Sequence, residues 1–325
     1  MCGRALSPRC RLPLELNNAM SQPTRRSLLG AALPLAVAAV SSTPPASAAA
    51  KKPFRLGLII SPDAKPEQEF GKLRDLKLTT CFVSTNRYDA AWAAQVKQLL
   101  ERFEIEPTAV ETLGPGQMVW DFMQGPATIG LVPRNTRQAR VDALKRGSDF
   151  GKLIGAPLLQ THCGFIPEDP NDALYPELVA AVHDVAAHCK ANGQLFLFET
   201  GQETPTTLMR AIGDVGLDNV GVGLDTANVI LYGKANPVDA AQILGKHVRA
   251  VHAKDGRWPT DPRRLGEETP IGSGLVDFKR VFDILKHNGY TGAITIEREI
   301  SGPKQVEDVR RGAAYLQKII DEQGA

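Results

Sequence analysis

The chain is poor in cysteine, with five in 325 residues, and poor in aromatic side chains, at 6%. It also lacks a dominant charge, since 38 Lys and Arg stand against 36 Asp and Glu for a formal net charge of +2. Each shortage excludes something. After residue 48 only Cys81, Cys163 and Cys189 remain. They are odd in number and lack short metal-type spacing, so they read as buried or idle thiols and not as a disulfide framework. Nucleic-acid binding needs a basic face that releases counterions, and no block of Lys or Arg follows residue 50, which excludes that class of partner. Long hydrophobic runs are missing too. The apolar stretch at 28–40 contains Pro34 and many alanines, and is too short and too weakly apolar for a stable membrane span.

That stretch belongs to an export signal. Met20-Ser21-Gln22-Pro23-Thr24-Arg25-Arg26-Ser27-Leu28-Leu29 sets paired arginines directly before it, and Ala46-Ser47-Ala48 supplies a small-residue cleavage pattern behind it. The arginine pair resembles a twin-arginine signal; two chance arginines in an ordinary secretory signal are the plainer alternative. Because Met20 begins a complete signal, residues 1–19 read as an upstream extension from a mis-assigned start codon, which N-terminal sequencing of the precursor would decide. Residues 1–48 are therefore an N-terminal extension and cleavable signal peptide, and 49–325 the functional domain. The first part carries Arg4, Arg9, Arg11, Arg25 and Arg26 against Glu15, four net positive charges, which leaves the exported part at about −2. A twin-arginine route carries folded protein, which suits an enzyme loaded with metal before export to the periplasm or beyond.

What remains is an alternation of short apolar runs with longer stretches of helical period, the pattern of parallel strands joined by crossover helices. Eight units are countable, with strands expected at 54–60, 78–84, 108–113, 158–162, 195–199, 220–225, 248–252 and 293–297. The helical faces are clear where Leu178, Val182, Val185 and Cys189 share one stripe and Val306, Val309, Ala313, Leu316 and Ile320 another. Asn192-Gly193 and Asn288-Gly289 stop two helices just before the next strand. No linker divides residues 49–325, and their number fits a single (β/α)8 TIM barrel, usually of roughly 250 residues. Residues 114–129 read as a long loop near the site.

In such a barrel the active site lies where strands reach their carboxyl ends. Four successive strands end in metal-ligand residues: Leu195 to Glu199, Val220 to Asp225, Val248 to His252 and Ala293 to Glu297. One glutamate at a strand end is readily explained by solvation or an arginine partner, and one histidine by packing. Three carboxylates converging in a buried mouth repel one another unless a cation neutralises them. The joint pattern therefore reads as one divalent metal held by Glu199, Asp225, His252 and Glu297. Three oxygen ligands and one imidazole favour Mn2+, then Mg2+, Fe2+ or Co2+, over zinc, whose thiol-rich or all-histidine sets are absent.

Phe198-Glu199, Gly223-Leu224-Asp225-Thr226-Ala227-Asn228, Val251-His252-Ala253-Lys254-Asp255, Ile271-Gly272-Ser273-Gly274 with Asp277-Phe278, and Thr295-Ile296-Glu297 follow one another in an order that resembles the xylose isomerase-like barrel superfamily, the sugar phosphate isomerase/epimerase group. The resemblance covers most of the exported part. It implies that Glu199, Asp225, His252 and Glu297 coordinate the metal, and that Glu199 and Glu297 double as the acid/base pair on opposite faces of a bound ketose. One departure stands out: where sugar epimerases of this group often carry Asp-x-x-His, this chain has Asn228, which puts plain ketose epimerisation in doubt. His162, at the end of the fourth strand, is either the replacement imidazole for the substrate or a hydrogen-bonded rim residue. Lys254 lies on the same strand face as His252, as a stabiliser of a developing oxyanion or as an ion pair with Asp255 or another rim acid.

Other residues read more plainly. Gly272-Ser273-Gly274 suits a turn leading to a cap at Asp277 better than a phosphate cradle. Trp120 and Trp258 are loop anchors or sugar-stacking faces. Arg257 is a substrate clamp by position alone, Glu299 a solvated or supporting residue, and His183 and His188 helix-surface or packing residues. With this set, a keto-sugar chelating the metal would lose the proton between carbonyl and hydroxyl to a carboxylate. The enediolate leads to an epimer, an aldose–ketose isomer or, by loss of a β group, a lyase product. Export favours an unphosphorylated keto-sugar, with isomerase or epimerase first and a 3-keto-glycoside lyase or deglycosidase next. A non-catalytic sugar-binding barrel is the third reading. An endonuclease IV activity would need more histidines and a basic face. A homodimer is left open.

Overall fold

The inward face of each strand follows from period-two alternation: at 195–199, Leu195, Leu197 and Glu199 share one side and Phe196 and Phe198 the other. The computed structural model describes residues 54–324, and the expectations for 1–48 lie outside the described residues. Ten strands are β1 (Arg55–Ile60), β2 (Thr80–Ser84), β3 (Glu106–Glu111), β4 (Leu158–Thr161), β5 (Leu195–Glu199), β6 (Val220–Asp225), β7 (Val248–Ala253), β8 (Asp255–Arg257), β9 (Glu267–Thr269) and β10 (Ala293–Ile296). Eight of them close a barrel in the order β1-β10-β7-β6-β5-β4-β3-β2, all neighbours parallel. The chain is thus a TIM barrel, with every expected strand present within two residues at each end.

Among the described residues the α-helices are α1 (Pro66–Asp75), α2 (Ala90–Phe103), α3 (Gly125–Thr128), α4 (Arg134–Ile154), α5 (Leu174–Ala191), α6 (Pro205–Val215), α7 (Asn228–Leu231), α8 (Pro237–Leu244), α9 (Phe278–His287) and α10 (Pro303–Gln323). Leu178, Val182, Val185 and Cys189 of α5 are buried as their spacing requires, and α5 and α9 stop just before their Asn-Gly pairs. On α10, Val309, Leu316 and Ile320 are buried while Val306 and Ala313 are only half-buried. Between helices and strands runs the main apolar core. A smaller cluster of Phe82, Ala109, Leu197 and Ala250 fills the barrel interior below the site. Cys81, Cys163 and Cys189 are free, buried thiols, and burial pushes Cys189 up to about 12, so none is poised as a thiolate.

Two differences from the sequence reading have local causes. β3 begins and ends two residues early, because Leu113 looks like strand but lies past the last β3–β4 pair, Glu111 with Gln160. Between β7 and α9, where the sequence shows no strand pattern, an antiparallel hairpin of β8 and β9 pairs Asp255 with Thr269 and Arg257 with Glu267. Residues 114–129 are irregular apart from α3. Among the described residues no helix is long and apolar enough to cross a membrane.

Candidate metal centre

The register of the strands brings four inward-facing side chains to one mouth. Glu199 pairs with Gly223 across β5–β6, Asp225 with His252 across β6–β7, and Thr295 with His252 across β10–β7, so Glu297 emerges just beyond. One ligand atom from each of Glu199, Asp225, His252 and Glu297 lies within 4.8 Å of the others. His252 Nδ1 is 3.2 Å from Glu199 Oε1 and 3.1 Å from Glu297 Oε2. The imidazole packs against Phe82 in a T-shaped arrangement at a centroid distance of 4.6 Å, and Gln160 Nε2 lies 3.4 Å from its Nε2. Gln160 can reach that position because residue 223 is glycine: a Cβ there would meet Gln160 Oε1 at 1.7 Å.

Threonines fix the strand ends. Thr200 Oγ1 accepts from the Asp225 amide at 3.0 Å and donates to the Asp225 carbonyl at 3.1 Å, and Thr226 Oγ1 donates to the Lys254 carbonyl at 2.6 Å. Asp225 Oδ1 accepts from the amides of Ala227 and Asn228 at 2.8 and 2.7 Å, which orients the carboxylate. Its Oδ2, with Glu199 Oε2 and Glu297 Oε2, is a buried oxygen without a hydrogen-bond donor. Three such oxygens and one imidazole nitrogen could hold a divalent cation, which would satisfy buried polar atoms that otherwise cost about 1–3 kcal/mol each when unpaired.

Charge makes the same point. Burial pushes Asp225 well above the usual carboxylate range; Lys254 opposes that, and Glu297 and Glu199 reinforce it. Burial acts against ionised Glu199 and Glu297 as well, yet His162 and His252 hold Glu199 low, and Lys254 and His252 hold Glu297 low. Burial lowers His252, but Glu199 and Glu297 raise it well above its ordinary value. Asp225, by burial and its neighbouring carboxylates, and His252, by Glu199 and Glu297, are thus both pushed towards their protonated forms, an excess of negative charge that a dication would offset.

Lys254 is fully buried, with Nζ 2.8 Å from Glu299 Oε1, 3.7 Å from Glu297 Oε2, 3.9 Å from Asp225 Oδ2 and 3.2 Å from Asn228 Oδ1. Its partner is Glu299 with the site acids, not Asp255. His162 Nε2 lies 3.3 Å from Glu199 Oε2, Nδ1 lies 3.3 Å from Gln202 Oε1, and the ring packs edge-on to Trp120 at 4.9 Å. Asn228 and His162 thus both adjoin the metal cluster. Trp258 is exposed in its loop. Asp255 takes a different role: its carboxylate accepts from the amides of Gly256, Gly272, Gly274 and Val276. Those amides are committed, so the Gly272-Ser273-Gly274 segment is a turn, and Asp277 beyond it accepts from the Arg280 amide at the start of α9. Arg257 donates to the Ser273 carbonyl at 2.7 Å, holding this turn where the sequence suggested a clamp. His183 and His188, both on α5, bond to the Val215 carbonyl and Asp149 and to none of the cluster residues.

Sequence reasoning missed Glu111, the inward residue that ends β3. It is buried beside Glu199, and burial first, then Glu199, pushes it well above the carboxylate range. The signal was the same as for the other ligands, an acid ending an apolar strand after Ala109 and Val110, masked by the following Leu113. Glu203, in the loop after β5, is also buried, and burial pushes it up to about 8. A cavity of 740 Å3 opens beside the cluster, lined by Glu111 and Glu297 together with Lys65, Gln68, Lys72 and Gln305.

The family described as xylose isomerase-like TIM barrel matches residues 74–319. A xylose isomerase domain protein from Planctomyces limnophilus is 32% identical, with a TM-score of 0.79 over 83% of this chain and 99% of that one. At lower identity the fold recurs in a xylose isomerase-like TIM barrel protein from Mycobacterium smegmatis solved in complex with magnesium (15%, TM-score 0.64, 84% and 98% of the two chains). It recurs again in the Escherichia coli 3-keto-D-glucoside 4-epimerase (16%, TM-score 0.59, 82% and 99%). Curated proteins from Methanocaldococcus jannaschii and Bacillus subtilis match at 24% and 29% identity over 57% and 36% of this chain, which spans 64% and 43% of their lengths. With a closed eight-stranded barrel, an acid-and-histidine cluster at its carboxyl mouth and these matches, the chain belongs to the xylose isomerase-like TIM barrel family.

Proposed function

We propose that the protein is an exported, divalent-metal-dependent isomerase or epimerase of an unphosphorylated keto-sugar, with Mn2+ as the preferred ion. The observation that carries this reading is the convergence of Glu199 Oε1 and Glu297 Oε2 on one nitrogen, His252 Nδ1, with Glu199 Oε2 left as a buried oxygen lacking a donor. Glu199, Asp225, His252 and Glu297 would hold the ion. A bound divalent ion supplies Lewis acidity to a chelated carbonyl and its neighbouring hydroxyl. The remaining chemistry belongs to the chain. One of Glu199 and Glu297 removes the proton between those oxygens and the other returns one, a placed base being worth about 10²–10⁴ in rate. Lys254 presents a buried ammonium beside Asp225 and Glu297, where negative charge accumulates on the substrate oxygen. In this reading His162 and Asn228, which adjoin the cluster, would contact the sugar's oxygens.

One observation favours a second reading, a 3-keto-glycoside lyase. The 740 Å3 cavity, lined by Glu111 and Glu297 and by polar residues such as Gln68 and Gln305, offers room for a group attached to the sugar. Residues 49–325 loaded with Mn2+ in D2O, incubated with ketoses and 3-keto-glycosides and followed by mass spectrometry after metal removal, separate these readings. Metal-dependent deuterium uptake supports the isomerase or epimerase, and release of the attached group supports the lyase. Glu199→Gln or Glu297→Gln abolishes either activity, a loss of at least a thousandfold; turnover retained in both variants removes the acid/base assignment. Neither exchange nor cleavage from metal-loaded protein would support a non-catalytic sugar-binding barrel.

A further inference from the structure

Two buried donors adjoin the barrel mouth without an acceptor. Tyr232 is 5% exposed and Gln202 1% exposed, yet neither the Tyr232 hydroxyl nor Gln202 Nε2 has a hydrogen-bond partner among the described residues. They are neighbours: after burial, Gln202 acts most strongly on the Tyr232 phenol, followed by Lys254, Glu299 and Glu199. A buried donor left unpaired is costly, so two of them side by side mark a place where an acceptor oxygen binds. Resting on the keto-sugar reading of the site, we propose that Tyr232 and Gln202 together donate to an oxygen of the bound keto-sugar, and so select substrates that carry an oxygen at that position.

The fold builds this pair from three loops and one short helix. Tyr232 lies one helical turn beyond Asn228, its amide donating to the Asn228 carbonyl at 2.9 Å, and the Asn228 amide donates to Asp225 Oδ1 at 2.7 Å. Edge contacts with Phe165 at 5.7 Å and Phe122 at 6.3 Å, from the loops after β4 and β3, set the ring. The turn after β5 closes on it because residue 201 is glycine: a Cβ there would meet Asn228 Cβ at 3.1 Å and the Tyr232 ring at 3.5 Å. Gln202 Oε1 is engaged by His162 Nδ1 at 3.3 Å, which leaves Nε2 as the uncommitted end of the amide. His162 Nε2 in turn lies 3.3 Å from Glu199 Oε2, so one side chain separates the donor pair from the candidate metal centre. Burial pushes the Tyr232 phenol up to about 12, with Gln202 opposing, so at neutral pH the hydroxyl keeps its proton and donates. A water held permanently between the two donors is the competing occupant, and it would make the hydroxyl a structural partner of the fold.

The test is thermal unfolding of the Mn2+-loaded full-length protein over rising concentrations of D-fructose, D-psicose and methyl 3-keto-glucoside. It gives the melting temperature without sugar and an apparent dissociation constant for each sugar. In Tyr232→Phe, which removes an unpaired hydroxyl, the sugar-free melting temperature should equal or exceed that of the unaltered protein. For whichever of these sugars the unaltered protein binds, the apparent dissociation constant should rise about tenfold. Gln202→Glu keeps the oxygen that faces His162, removes the donor and should weaken binding to a similar degree. A melting temperature several degrees lower in Tyr232→Phe makes the hydroxyl structural and overturns the proposal. Unchanged affinity in both variants overturns it too, while the sugar binding seen in the unaltered protein leaves the keto-sugar reading standing. No response of the unaltered protein to any of the three sugars removes that reading and this inference with it.

Discussion

Glu203 combines 3% exposure with an oxygen, Oε1, that has no hydrogen-bond donor, and burial raises it from an ordinary 4.5 to about 8. Its proton is therefore retained on folding at a pH where the unfolded chain has released it. The contribution to stability is fully present below pH 4.5, declines by up to ~1.4 kcal/mol per pH unit above that, and is lost by about pH 8. Glu203→Gln keeps the shape and removes the titration. Its melting temperature should match that of the unaltered protein near pH 4.5 and exceed it by several degrees at pH 8; parallel profiles across that range would contradict the assignment. The neutral carboxyl was illegible in the sequence because nothing in Thr200-Gly201-Gln202-Glu203 distinguishes a buried loop acid from a solvated one. Glu199, Asp225, His252 and Glu297 were legible because each ends an apolar run whose alternation fixes its direction. Glu111 obeys the same rule and was hidden only by the apolar Leu113 that follows Thr112.

Strands and helices came through clearly wherever a period of two or 3.6 was sustained, as along Leu195–Glu199 and on the buried stripe of α5. The β8–β9 hairpin has no such period. Asp255-Gly256-Arg257 and Glu267-Glu268-Thr269 alternate nothing apolar, and a single buried carboxylate organises the turn behind them. Asp255 is 1% exposed and accepts four backbone amides, those of Gly256, Gly272 and Gly274 at 2.9 Å and that of Val276 at 3.1 Å. Asp255→Ala would strand these donors and destabilise the fold by about 3 kcal/mol, with Asp255→Asn intermediate. Gly274→Ala makes an independent check, because a Cβ there would meet Asp255 Oδ1 at 2.1 Å and push the carboxylate out of its cage. Urea unfolding measures both. If Asp255→Ala unfolds at the same midpoint as the unaltered protein, the carboxylate is not what holds this element.

At the level of the whole molecule, the four ligands of the candidate centre come from β5, β6, β7 and the end of β10, consecutive staves along half the barrel wall. The unfolded chain separates Glu199 from Glu297 by 98 residues, so only the closed barrel assembles the donor set. Metal binding is therefore linked to global unfolding, not to the order of one loop. Mn2+ at a hundred times its dissociation constant should add ~2.7 kcal/mol of stability. That corresponds to a rise in melting temperature of roughly 5–10 °C for a chain of this size. Chelation by EDTA should reverse the rise. Asp225→Asn should abolish the response while leaving the metal-free melting temperature the same or higher, because burial already favours a neutral Asp225. An unchanged response in that variant would separate the stabilising ion from the barrel mouth. Loss of the response confined to this and the other three ligand positions would tie the ion to the closed barrel itself.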